Sequence, residues 1–219
     1  MLLVTCALAA PVAATAAEPE PATGGSAAPA EDPRLIAPGQ ILVGKVATFR
    51  GTLPGRAGGT VTIERLDPLT GAWVPLASAP VGPDGAYVAR WRADVTGRIT
   101  TRATLGPVAG GTGAALALDA PPEVAVTVYR PANATWYGPG FYGRTTACGL
   151  RMTKRLLGVA HKRLPCGTMV AFAYKGRSIT VPVVDRGPFT KGRSWDLTSA
   201  AAKALGFAFT DRLAAIPVD

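Results

Sequence analysis

The chain has 219 residues, a net charge of +9 and 48% apolar residues, with 26 glycines and 20 prolines. Alanine, valine, glycine and proline in these amounts suit β-rich units broken by turns, and exclude a helical bundle. After the first residues no stretch reaches the roughly 18 uninterrupted apolar residues of a membrane span, so no transmembrane segment is expected.

In chain order, Met1–Ala17 is apolar and ends in Ala14-Thr15-Ala16-Ala17 before Glu18, the small-residue pattern of a signal-peptidase site, with cleavage expected after Ala16 or Ala17. A basic n-region is missing, so the given start can lie inside a longer signal. Leu3-Val4-Thr5-Cys6 is a poor lipoprotein box, because Thr precedes the Cys and the apolar run before it is short. Residues 18–33, made of Pro, Ala, Gly, Ser and acids, cannot bury enough apolar surface to offset their ordering entropy and are expected as a disordered linker.

Residues 34–130 predict short strands at Ile41–Arg50, Thr60–Leu66, Trp73–Ala77, Tyr87–Ala93, Gly97–Leu105 and Val124–Tyr129. Leu53-Pro54-Gly55, Asp67-Pro68-Leu69-Thr70-Gly71 and Gly82-Pro83-Asp84-Gly85 are the turns between them, set by Pro φ and left-handed Gly. Strands at this spacing predict an antiparallel β-sandwich, similar to a bacterial Ig-like module, with Trp73 and Trp91 as core anchors. The segment has no His and no Cys, and is expected to act as a spacer or docking unit. Asp119-Ala120-Pro121-Pro122 and Pro131-Ala132 are expected slack points, with the boundary near 131.

Residues 131–219 carry thirteen basic against four acidic residues, which accounts for the whole net charge, since the first 130 balance at ten and ten. Such a module favours an anionic partner: nucleic acid, anionic lipid or an acidic wall polymer. Export would leave nucleic acid out. Strands are expected at Ala134–Tyr137, Thr168–Tyr174, Ser178–Val184 and Leu213–Val218, with Lys175-Gly176-Arg177 as a tight hairpin. Pro182 inside a strand predicts an edge or bulge. Leu197–Gly206 predicts a short helix, capped by Thr198 or Ser199 and ended by Gly206.

Once the signal is removed, Cys148 and Cys166 are the remaining cysteines. In an exported chain they most simply pair, closing a loop worth roughly 3 kcal/mol. A catalytic thiol with His161 and a metal pair are the alternatives, disfavoured by an oxidising exterior and by the single histidine. His161 precedes Lys162-Arg163-Leu164-Pro165, and an imidazole bridging strand and loop would be its structural role. Asp185 ends an apolar strand ahead of Arg186-Gly187-Pro188-Phe189. It could cap the turn, or serve as a general acid that protonates a leaving oxygen. Asp196 lies in Trp195-Asp196-Leu197-Thr198, where it could cap the helix or orient a site. Trp136, Tyr137, Phe141 and Tyr142, among glycines, are candidate stacking surfaces for sugar rings, with Tyr142 and Arg144 the more exposed.

Together, Trp136-Tyr137-Gly138-Pro139-Gly140, Ala160-His161-Lys162-Arg163-Leu164-Pro165, Val184-Asp185-Arg186-Gly187-Pro188-Phe189 and Trp195-Asp196-Leu197-Thr198 resemble the RlpA-like double-psi β-barrel family, expansin-related, whose best-known members are septal-ring lytic transglycosylases acting on bacterial peptidoglycan. The resemblance covers residues 131–219. It implies an all-β chain: an N-terminal Ig-like sandwich, then a six-stranded double-psi barrel with one or two short helices.

It further implies a secreted, wall-associated enzyme that cleaves glycan strands between MurNAc and GlcNAc to 1,6-anhydro products. Asp185 is the expected acid, assisted by His161 and Asp196. Trp136, Tyr137, Tyr142, Arg144 and Arg186 are expected to bind substrate, with no cofactor and no metal. Where the family carries Thr-Ala-x-Gly-Glu, this chain has Thr146-Ala147-Cys148-Gly149-Leu150, with Leu150 in place of the Glu. The alternative is therefore an expansin-like glycan-binding module without turnover.

Overall fold

The computed structural model describes residues 32–106, 118 and 120–218. The expected signal segment, Cys6 and residues 18–31 of the linker lie outside the described residues, as does Asp119 of the first slack point. The first half contains β1 (Arg34–Ile36), β2 (Gln40–Leu42), β3 (Val46–Thr52), β4 (Thr60–Leu66), β5 (Trp73–Pro80), β6 (Ala86–Arg92) and β7 (Gly97–Leu105). The long β8 (Glu123–Tyr137) leads into β9 (Val159–Ala160), β10 (Met169–Tyr174), β11 (Arg177–Asp185), β12 (Trp195–Thr198), α1 (Ser199–Leu205) and β13 (Asp211–Pro217).

Alternation along the first strands builds two sheets over one core. In β6, Tyr87, Ala89 and Trp91 are buried while their neighbours point outward, as period two requires. Strands β1, β3 and β6 form one sheet, and β5, β4, β7 and the first half of β8 the other. Phe49, Val61, Ile63, Trp91, Val126 and Val128 from both sheets share the core. Two expectations are corrected. Trp73 is only half-buried, because it lies under the guanidinium of Arg102, 4.0 Å from its ring centroid, at the outer strand β5. One pairing is not antiparallel: β2 runs parallel to β8.

Pro131-Ala132, expected to be slack, lies inside β8. Residues 123–128 pair with β7, and residues 130–134 pair with β13, so ladder hydrogen bonds hold the strand on both sides of the proline. Tyr129, Ala171 and Ile216, with Leu42 beside them, form a small cluster where the halves meet.

The second half closes on itself. The strand order β12-β9-β11-β10-β13-β8 is completed by a parallel pairing of β12 with β8, giving a six-stranded barrel with no free edge. Val170, Phe172, Val181, Val183, Trp195 and Leu213 fill it. The hairpin between β10 and β11 turns on Lys175 (φ 47°) and Gly176 (φ 80°), and positive φ at both central residues is what such a two-residue turn needs. Pro182 stands at the end of the β10 ladder beside a register shift between Val183 and Asp185 on the β9 side, the bulge expected of it.

The one short helix among the described residues packs against the barrel core. Thr198 caps α1 by accepting from the Ala201 N–H, and Gly206 ends it by donating to Ala202 and Lys203 carbonyls. Ala201, Ala202 and Leu205 are its buried face. No helix among the described residues is long and apolar enough to cross a membrane.

Candidate active site

Register places the chemistry. On neighbouring barrel strands Asp185 pairs with Ala160, Ala160 with Asp196, and Asp196 with Thr135. The two aspartates thus stand two strand spacings apart, roughly 10 Å between Cα atoms, with Ala160 on the strand between them. All four residues line one cavity of about 210 Å³.

The bulge aims Asp185. Val183 points into the core and Val184 is buried against Gly158, where a Cβ would collide with the Val184 side chain. Asp185 is thereby turned to the cavity, as bulges beside functional sites often do. Its Oδ1 accepts the N–H of Ala147 (2.8 Å) and of Arg186 (2.8 Å), and its Oδ2 accepts the Tyr137 hydroxyl (3.1 Å). Burial, then the charge and hydrogen bond of Asp185 and the charge of Asp196, push the Tyr137 phenol well above its ordinary range, so it keeps its proton and donates.

Asp196 is provided for differently. Thr135 donates to its Oδ1 at 2.6 Å, and its Oδ2 takes no bond from the described residues. Burial, aided by the Asp185 charge and opposed by the Thr135 hydrogen bond, raises its pKa above the ordinary carboxyl value.

His161 does not line this cavity. It lies at the end of β9, its ring 4.4 Å from that of Trp195. Its Nδ1 accepts the N–H groups of Leu164 (2.9 Å) and Arg163 (3.2 Å), so the imidazole organises the His161–Pro165 turn. Burial, then the charges of Arg186, Lys162 and Arg163, hold its pKa below the usual value.

The expected substrate-binding residues divide. Tyr137 and Arg186 line the cavity. Trp136 does not. It follows Thr135 on the strand and faces away, 38% exposed, with its indole N–H donating to the Ala208 carbonyl at 2.9 Å. Tyr142, expected to be exposed, is half-buried with its hydroxyl 3.0 Å from Ser199 Oγ. Arg144 is exposed and stands 5.7 Å from the ring centroid of Phe141, a cavity residue, so it reaches the rim through Phe141.

Phe141 (48% exposed) and Phe189 (84% exposed) are the accessible aromatic walls. Phe189 and Ala160, which also line the cavity, stand in the quoted motifs but were not among the expected site residues. An aromatic two residues after a glycine, in a turn following an apolar strand, was the available signal for the first. Ala160 gave none, because its importance is purely positional.

A disulfide joins Cys148 to Cys166. It tethers the turn in which Thr146 Oγ1 accepts the Leu150 N–H and from which the Ala147 N–H reaches Asp185. Leu150, where the family Glu was expected, is 44% exposed on that turn.

A family model described as lytic transglycolase matches residues 130–219. A probable endolytic peptidoglycan transglycosylase RlpA of Synechocystis is 51% identical over 75 residues, covering 33% of this chain and 23% of the relative. The one of Aquifex aeolicus is 49% identical over 75 residues, 33% of each chain. The endolytic peptidoglycan transglycosylase RlpA of Campylobacter jejuni is 41% identical over 87 residues, 39% of this chain and 32% of its own. Among solved structures, the Streptomyces papain inhibitor aligns with 40% of this chain and 94% of its own at 25% identity and a TM-score of 0.31, a score that supports no functional transfer. This chain therefore spans between about a quarter and a third of the length of these curated relatives. The closed six-stranded barrel and these matches support an RlpA-like double-psi β-barrel in residues 130–219, similar to lytic transglycosylase domains.

Proposed function

We propose that the protein is an exported, wall-associated lytic transglycosylase that cuts peptidoglycan glycan strands between MurNAc and GlcNAc and leaves 1,6-anhydro ends. The observation that carries this reading is the pair Asp185 and Asp196 lining one cavity on either side of the Ala160 strand, a cavity also lined by the exposed rings of Phe141 and Phe189. Leaving-group departure needs a proton donor, and burial raises the pKa of the Asp196 carboxyl, which favours the form that carries one. Aromatic faces suit sugar rings, and the cations Arg144 and Arg186 at the rim suit an anionic wall polymer. The names of the relatives point to the same substrate.

A second reading, a glycan-binding module without turnover, is favoured by one observation: Leu150 occupies the turn position where a carboxylate was expected. Incubation with purified peptidoglycan, followed by separation of pellet and supernatant and mass detection of released muropeptides, distinguishes them. Soluble anhydro-muropeptides support the enzyme. A protein that sediments with the wall and releases nothing supports the binding module.

A further inference from the structure

We propose that Asp196, rather than Asp185, carries the proton delivered to the glycosidic oxygen, while Asp185 serves throughout as the carboxylate that stabilises positive charge at the sugar C1. This inference rests on the transglycosylase reading and assigns the roles within it.

The hydrogen bonds divide the pair. Asp185 accepts three donors over both oxygens, two of them backbone N–H groups that can only donate. A proton on Oδ1 would face both of those N–H groups. Tyr137 adds a third donor, and its raised pKa keeps it one. Asp196 has a single hydroxyl partner, Thr135, which can donate or accept, and an Oδ2 that takes no bond from the described residues. Partial burial and the neighbouring Asp185 favour its neutral form. Two carboxyls in one site with such unlike hydrogen-bond partners suit separate acid and carboxylate roles.

The reaction then closes on itself. The Asp196 O–H protonates the bridging oxygen as the C1–O bond breaks and its electron pair goes to that oxygen. The C6 hydroxyl oxygen of the same MurNAc forms the new bond to C1. The proton it loses passes to the Asp196 carboxylate, which ends as the acid it began. No water is consumed, and nothing is oxidised or reduced.

The test compares wild type, Asp196→Asn and Asp185→Asn on two substrates: glycan strands from purified peptidoglycan, and a MurNAc-terminated oligosaccharide with a nitrophenyl group at C1, which leaves without protonation. Asp196→Asn is expected to lose about 10²–10⁴-fold on strands, the usual contribution of a general acid, and to lose much less on the nitrophenyl substrate, where only the acceptor for the C6 hydroxyl proton is missing and water can take its place. Asp185→Asn is expected to be slow on both. Sedimentation with peptidoglycan checks that each variant is folded. Thr135→Val leaves both carboxyls in place and is expected to slow strand cleavage more than nitrophenol release. The opposite pattern, with Asp185→Asn restored by the nitrophenyl group and Asp196→Asn not, overturns the assignment alone. A wild-type protein that releases neither anhydro ends nor nitrophenol overturns the transglycosylase reading and this inference with it.

Discussion

Two carboxyls that line one cavity on either side of a strand cannot both ionise without cost, and here the cost falls on Asp196. Its folded pKa is raised, so its contribution to stability is complete below the unfolded value of 3.8 and is lost as pH rises through the folded value. Asp196→Asn is therefore expected to melt higher than wild type at neutral pH, with the gap closing below pH 3.8, as calorimetry at the two pH values would report. A variant that melts lower at both would mean that Asp196 is there for packing. Ala160 permits a different experiment. Ala160→Leu should fill the space between the aspartates and lower strand cleavage by about 10²-fold, the scale of a misplaced reacting group. Ala160→Ser, which adds a hydroxyl without bulk, should retain most activity. At this scale the sequence was only partly legible. Both aspartates could be named from their motifs, but Trp136 and Tyr137 were treated alike although successive strand residues face opposite ways. Only Tyr137 reaches the cavity.

At the scale of elements, the turn from Thr146 to Leu150 and the disulfide act together. The Cys148–Cys166 bond fixes the turn whose Ala147 N–H holds Asp185. Replacing both cysteines with serine is expected to lower stability by about 3 kcal/mol, read by chemical denaturation, and to slow cleavage beyond the loss explained by unfolding. Unchanged turnover by the folded variant would separate the tether from the site. Element by element, the local signals were clear: Thr60–Leu66 and Gly97–Leu105 are strands as expected, Lys175-Gly176 makes the hairpin, and Thr198 and Gly206 bound the helix. The two-residue β9 and the four-residue β12 were not legible. Neither is long enough to show a period, and both exist because barrel closure supplies partners on each side.

For the whole molecule, the decisive fact is non-local. The Asp185–Ala160–Asp196–Thr135 row arises only when β12 meets β8 and closes the ring, and no window of sequence contains that register. The charge excess of the barrel half was legible, and it has a consequence. Binding to peptidoglycan is expected to weaken steadily with added salt, because exposed charges are screened over about 8 Å at physiological ionic strength. Sedimentation across a salt series would show it, and salt-independent binding would assign the affinity to the aromatic walls alone.

The account as a whole depends on which oxygen attacks C1. Cleavage of purified glycan strands in ¹⁸O-enriched water, with mass analysis of the new ends, decides this directly. Attack by the sugar's own C6 hydroxyl predicts 1,6-anhydro ends without label. Reducing ends carrying ¹⁸O would identify water as the nucleophile and contradict the account.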